Sequence, residues 1–273
     1  RRPPRSTLVP YTTLFRSKEL DRKNHQIMES INYASLIQTA MLQPEKTLDS
    51  YVPESFILFK PRNIVSGDFY WYAKKQSKLI VAVADCTGHG VPGAFMSMIG
   101  FNILNQIVIN DNITEPDVIL EELDKGVISA LNQRHTGNDD GMDVAIVVID
   151  SRKKMLSFAG ARNSMIIIQD GQIEEYEGNE RSVGGILADN EEPFVKREIK
   201  LSGSNYIYSF SDGYPDQLGG RMNKKFMNNR MRNLLYEIHT NNMDEQKRIL
   251  ENTIETWKSE SNAKQTDDIL VLG

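Results

Sequence analysis

Hydrophobic and polar residues alternate along this chain with two different periods, and the change falls near residue 45. From Lys18 to Leu42, Leu20, Ile27, Ala34 and Met41 recur every seven residues, and Ile31 and Ile37 widen that stripe. Neither Pro nor Gly intervenes before Pro44, so the spacing predicts a helix. Its first part, KELDRKNHQIMES, is too polar for a lone surface helix. Residues 18–30 read equally as the end of a parallel coiled coil or as an amphipathic helix packed on its own domain, whereas 31–42 read as packed. Upstream, RRPPRSTLVPYTTLFRS carries neither period and resembles translated adapter sequence, so residues 1–17 are expected to form a non-native or disordered tail.

Past LQPEKTLDSYVPES the runs become short, β-rich and closed by turn residues. FILFKP, SGDFYWYAKK, KLIVAVAD, DVAIVVIDS, KMLSFAGA, SMIIIQDG, QIEEYEG, FVKREIKL, NYIYSFSDG and DDILVLG each predict a strand, with QDGQ as a hairpin signal. Helical patches are expected over Val91–Asn110, Glu115–Gln133 and Asp244–Ser261. Strands mostly adjoin strands, so a βαβ parallel sheet fits poorly. The pattern predicts an α+β domain of two antiparallel sheets packed face to face with helices outside, occupying 46–273 behind a helical linker at 18–45.

Composition narrows the function. The chain has 273 residues, 40% hydrophobic and 25% charged, ordinary globular values. A net charge of −5 argues against an electrostatic nucleic-acid footprint. One cysteine rules out an internal disulfide framework and suits a reducing cytoplasm. No apolar run approaches the roughly 18 residues of a membrane-spanning helix, so this segment is expected to be soluble, without membrane contact.

The candidate chemistry lies at strand ends. Asp68 sits in SGDFYW, Asp85 ends LIVAVAD, Asp212 ends YIYSFSD, and Asp267 and Asp268 open DDILVLG. A carboxylate there costs free energy unless it is paired, hydrogen-bonded or bound to a cation. Each acid taken alone also reads as a turn or helix cap. Together, without clustered Lys or Arg beside them, they point to hard cations held by oxygen ligands. Asp143, Asp150 and Asp216 would serve equally well on spacing. No HExxH, C-x-x-C, Walker loop, dinucleotide loop or G-x-S-x-G elbow occurs, which leaves metal-activated water as the best-supported nucleophile. His89 in TGHG reads either as a functional group or as an anchor of the glycine loop.

KPRNIVSGDFYW, VADCTGHGVPGAFMSMIG, GMDVAIVVID, FAGARNSMIII, SVGG, FSDGYPDQLGG and QTDDILVL resemble, in this order, the motifs of SpoIIE-type serine/threonine phosphatases of the protein phosphatase 2C-like class. The resemblance covers roughly residues 28 to 273. It implies an αββα sandwich and two manganese or magnesium ions. By motif, Asp85 bridges both ions, the Cys86 carbonyl joins one, and Asp68, Asp212 and Asp267 hold the second, Asp267 matching better than Asp268. Asp143 occupies a motif that admits a further, weaker ion, and Arg62 is a candidate phosphate ligand. Leu270 stands where the family usually has threonine. The resemblance further implies a phosphorylated protein substrate, an anti-sigma-factor antagonist by analogy, and the N-terminal helix is expected to transmit a signal or to form a homodimer. The rivals are a 2C-like binding module without catalysis and a metal-dependent small-molecule phosphohydrolase.

Overall fold

The computed structural model describes residues 11–52, 54–185 and 192–273. Helix α1 (Tyr11–Met41) leads through the short α2 (Glu45–Asp49) into strands β1 (Ile57–Lys60), β2 (Phe69–Lys75) and β3 (Lys78–Cys86). Helix α3 (Val91–Leu104) widens into π-helical turns over Asn105–Asn110, and α4 (Pro116–Ala130) and α5 (Gln133–Thr136) follow. Next come β4 (Gly141–Asp150), β5 (Met155–Ala161), β6 (Met165–Gln169), β7 (Gln172–Tyr176), β8 (Val183–Gly184) and β9 (Arg197–Lys200). The chain closes with β10 (Asn205–Phe210), β11 (Leu218–Gly219), β12 (Lys224–Lys225), α6 (Asn228–Ile238), α7 (Met243–Ser259) and β13 (Ile269–Leu272).

Two antiparallel sheets carry the domain. One runs β2-β3-β4-β5-β9 with β8 beside β4, and the other runs β1-β13-β10-β6-β7. Their strands alternate faces, as a period of two requires. Tyr70, Tyr72, Leu79, Val81 and Val83 of the first sheet meet Ile57 and Leu270 of the second between the layers. The outer face of the first sheet, including Phe69, Trp71, Ala82, Ala84 and Val144, packs under α3 and α4. The outer face of the second, including Ile166, Tyr208 and Val271, packs under α6 and α7. The architecture is therefore the expected αββα sandwich behind an N-terminal helix. Each fully buried large apolar side chain, Trp71 among them, contributes about 1.5–3 kcal/mol of transfer free energy.

Every segment expected to be a strand contains one. Helix α6 was not expected: its cap position is Met227, which turns with φ of 80° and makes no side-chain cap bond. A second correction concerns residues 91–110. These 20 residues, with mean hydropathy 1.3, are apolar and long enough to cross a membrane, contrary to the expectation that no such run exists. Scattered Gly, Asn and Ser disguise the run, and its physical use here is core: Met96, Phe101, Leu104, Ile107 and Val108 cover the first sheet. The first helix also reaches further back than its seven-residue seam, to Tyr11, while residues 1–10 of the expected tail lie outside the described residues.

Helix α1 packs through its C-terminal part only. Residues 20–30 are exposed throughout, whereas Gln38 is buried. Downstream of α1 the chain is stapled to the edge strand β2: the Tyr72 amide donates to Gln43 Oε1 at 2.8 Å, and the Tyr70 and Tyr72 hydroxyls donate to the Gln43 and Pro44 carbonyls. The first of these bonds occupies a backbone amide that an edge strand otherwise leaves open.

Candidate metal centre

The acids converge because the sheet registers bring them together. Asp85 pairs with Asp143 across β3 and β4. One step beyond the Phe69–Ala84 pair stands Asp68 against Asp85, and one step beyond the Val144–Ala161 pair stands Arg162 against Asp143. Asp68, Asp85 and Asp143 thus form one rung across three strands, and Arg162 follows the end of β5 beside Asp143. Phe69, Ala84, Val144 and Ala161 face the outer helices, so by alternation the rung faces the space between the sheets. From the other sheet come Asp212, beyond β10, and Asp267 and Asp268, ahead of β13. The pairing of these strands continues past Phe210, where the Ser211 amide donates to the Leu270 carbonyl at 3.0 Å.

Burial and mutual repulsion set the electrostatics. Asp68, 2% exposed, is driven well above the usual carboxylate range by burial, with Asp268, Asp267 and Asp212 adding to the rise. The Ser211 hydroxyl opposes it by donating to Asp68 Oδ2 at 2.6 Å. Asp85 is pushed up by burial first, then by Asp68, Asp212, Asp267 and Asp143. Asp212, on the exposed rim, is raised by burial and by Asp216 and Asp267, and its carboxyl lies within hydrogen-bond reach of Asp85. Asp143 is raised by burial, against a bond from the Ser182 hydroxyl and the charge of Arg162.

The two adjacent aspartates differ in what they do. Asp268 is spent on structure: Oδ1 accepts from the Arg62 amide at 2.6 Å and Oδ2 from the Gly67 amide at 2.8 Å. Asp267 is exposed and accepts locally from the Asp268 amide, while its charge acts on Asp68, Asp85 and Asp212. Cys86 is buried, and burial followed by the charge of Asp85 pushes its thiol up, so what it offers the site is its carbonyl. That carbonyl lies beside Gly67: a Cβ on Gly67 would stand 3.3 Å from it and 2.7 Å from the Gly88 carbonyl. A Cβ on Gly93 would stand 2.4 Å from the same Gly88 oxygen. These close approaches admit only glycine and press the loop after β3 against the backbone that carries Asp68.

The sequence reading missed three supports. Thr87 closes the glycine loop onto β4: its amide donates to the Gly141 carbonyl at 2.9 Å and its hydroxyl to Asp140 at 3.0 Å. Ser211 relays order from the second sheet, its Oγ accepting from the Leu270 amide at 3.0 Å while its proton goes to Asp68. Gln38 of α1 grips the approach to Asp68, with Nε2 donating to the Ser66 carbonyl at 2.7 Å and to Ser97 Oγ at 2.9 Å. Its Oε1 accepts from the Ser66 amide at 3.0 Å. Only the S-D pair in FSDG carries a trace of the second support in the sequence; the other two are long-range.

Other expected residues fall elsewhere. His89 is exposed on the glycine loop and Arg62 on the surface. The Leu270 side chain is fully buried between the sheets, so its contact with the site runs through its amide. Asp150 accepts from the amides of Arg152 and Lys153 at the far end of β4. Asp216 pairs with Lys225. Arg162, which the sequence reading did not single out, follows β5 beside Asp143.

A donor set of carboxylates and carbonyls, with acids raised by one another's charge, fits hard divalent cations. Among the described residues no three of these side chains already surround a common point as ligands do.

A double antiparallel sandwich between helical layers, open at one end onto inward-facing carboxylates, defines a phosphatase 2C-like domain. Its match to a solved domain of that class is close: the SiaA-PP2C domain of Pseudomonas aeruginosa aligns with a TM-score of 0.82 and 32% identity over 92% of this chain and 97% of that one. The chain belongs to the SpoIIE family, since residues 75–273 match the family of stage II sporulation protein E. The PP2C phosphatase domain with a fragment of the regulatory domain of SpoIIE from Bacillus subtilis aligns at TM-score 0.62 and 17% identity, over 80% of this chain and 61% of that one. RsbX, solved in complex with magnesium, aligns at 0.54 and 15% over 80% and 91%. No curated protein sequence matches the chain.

Proposed function

We propose that this chain is a phosphoserine/phosphothreonine protein phosphatase working with two manganese or magnesium ions, the output domain of a bacterial cytoplasmic signalling protein. The observation that carries this reading is the rung of inward-facing acids, closed from the opposite sheet by Asp212 and Asp267. Asp85, central to the set, would hold the ions together with the Cys86 carbonyl and the carboxylates of Asp68, Asp212 and Asp267. When bound, the two ions supply Lewis acidity that ionises a water and offsets phosphate charge. The protein's part is to hold these oxygens rigidly. Ser211 orients Asp68 and opposes the rise of its carboxyl, and the glycine contacts fix the Cys86 carbonyl. The family supports a phosphorylated anti-sigma-factor antagonist as substrate.

Helix α1 is proposed as the input. Its distal part exposes Leu20, Ile27 and Met28, an apolar edge suited to a second copy of the chain, and its buried end reaches the Asp68 approach through Gln38. Manganese-dependent hydrolysis of p-nitrophenyl phosphate and of a phosphopeptide, abolished in Asp85→Asn, is the expected result. Tight binding of metal and phosphoprotein without turnover would identify a binding module instead. Faster turnover of nucleotides than of phosphopeptide would identify a small-molecule phosphohydrolase.

A further inference from the structure

Arg162 is built into the site with unusual care. It holds a left-handed backbone with φ of 51°, a conformation that a long side chain adopts at a cost of about 1–3 kcal/mol. The turn is over-determined. The Arg162 amide donates to the Asn179 carbonyl at 2.8 Å and the Asn179 amide to the Gly160 carbonyl at 2.8 Å. A Cβ on Gly160 would stand 2.2 Å from the Asn163 carbonyl and 2.8 Å from Gly178 Cα, so the knuckle and the 178–180 segment interlock. The product is one cation held at the end of β5, beside Asp143 on the neighbouring strand and two strands from Asp85.

Its side chain is only half committed. Nε donates to the Glu180 carbonyl at 3.0 Å, and the two Nη groups make no hydrogen bond to a described residue. Although Asp143 feels its charge, the pair forms no salt bridge. Nε anchored to a carbonyl fixes the plane of the guanidinium and leaves its outer edge available. A planar pair of N–H donors at a set orientation is suited to bidentate recognition of phosphate. Arg62, by contrast, enters the site through its backbone amide, which is bonded to Asp268.

We propose that Arg162 is the phosphate-gripping residue of this site, its Nη groups taking two phosphoryl oxygens of the phosphomonoester when the acids are neutralised by cations. This rests on the metal-dependent phosphatase reading given above. It assigns Arg162 to binding the phosphoryl group, while the acids serve the cations.

The test uses the full chain loaded with manganese and measures the dissociation constant of inorganic phosphate by calorimetry, with the KM and kcat for p-nitrophenyl phosphate. Arg162→Ala is expected to weaken phosphate about tenfold to a hundredfold, the range for a lost charge-assisted contact. KM should rise in parallel and manganese affinity should not fall, because a positive neighbour has been removed. Arg162→Lys, which keeps the charge but not the fork, should recover part of the phosphate affinity. A phosphate affinity in Arg162→Ala within twofold of the parent overturns the proposal. So does equal thermal destabilisation of both variants with phosphate binding intact, which would make Arg162 only a pin for Glu180. If the parent chain binds phosphate in an Arg162-dependent way yet hydrolyses no phosphoester, the phosphatase reading fails and this inference stands.

Discussion

Replacing Gln38 by Ala tests the link between α1 and the acids most directly. Gln38 is buried, and its side chain makes three hydrogen bonds, two of them to the backbone of Ser66, which is fully buried. Removing it leaves the Ser66 amide without its acceptor, at about 1–3 kcal/mol for a buried unsatisfied group. The Ser66 carbonyl keeps a long contact from Ser97 Oγ at 3.4 Å, so its loss is smaller. The lost methylene adds about 0.8 kcal/mol. The sum, about 2–4 kcal/mol, corresponds to a fall in melting temperature of about 4–16 °C at roughly 2–4 °C per kcal/mol. Because Ser66 and Gly67 lead directly into Asp68, part of this loss should appear in metal binding. We expect manganese affinity, titrated calorimetrically on the full chain, to drop at least tenfold, with faster amide exchange over residues 31–41. Faster exchange with manganese affinity within twofold of the parent would refute the coupling and leave α1 a tether. An unchanged melting temperature and unchanged exchange would refute the energetic reasoning itself.

Three further outcomes follow from the site. Asp85→Asn should abolish manganese-dependent turnover while raising the metal-free melting temperature, since folding no longer has to protonate a buried carboxylate repelled by its neighbours; a lower metal-free value would contradict the electrostatic account. Asp68, Asp85 and Asp212 all have folded carboxyls that hold protons more tightly than in the unfolded chain. In chelator, the native state therefore binds more protons above about pH 4, and stability should fall as pH rises towards 8. Saturating manganese, which requires the ionised forms, should shrink or reverse that fall in a thermal scan. Gly93→Ala puts a methyl 2.4 Å from the Gly88 carbonyl and 2.9 Å from Gly67 Cα. It should keep its far-ultraviolet circular dichroism but lose more than tenfold in manganese affinity, and parental affinity would show that the glycine packing does not position the site.

The strands and the acids at their ends were legible because both are local patterns: short apolar runs with an Asp at one edge, directly beside Gly in GDFYW and FSDG. What was illegible depends on register. Asp68, Asp85 and Asp143 lie far apart in the sequence, and only pairing across β2, β3 and β4 makes them neighbours. Arg162 reads as one more loop residue until the same pairing sets it beside Asp143. Gln38 and Thr87 act through backbone carbonyls and amides of distant segments, which leave no mark in residue identity. Of Asp267 and Asp268, the second is engaged by two amides, a distinction that identical side chains in adjacent positions cannot reveal.

The pairing of β2 with β3 is set where the hairpin turns, at Lys75 opposite Lys78, with Gln76 at φ of 54°. Seven residues separate that tip from Asp68, about 24 Å of extended strand at roughly 3.4 Å per residue. Since successive side chains point to opposite faces, a slip of one residue at the tip would turn Asp68 from the space between the sheets towards the outer helices. A surface turn with no chemistry of its own thus works as an indexing stop. Insertions there are sorted by parity: a single added residue that shifts the pairing disables the distant acids, whereas a loop lengthened without moving the ladder leaves them aligned.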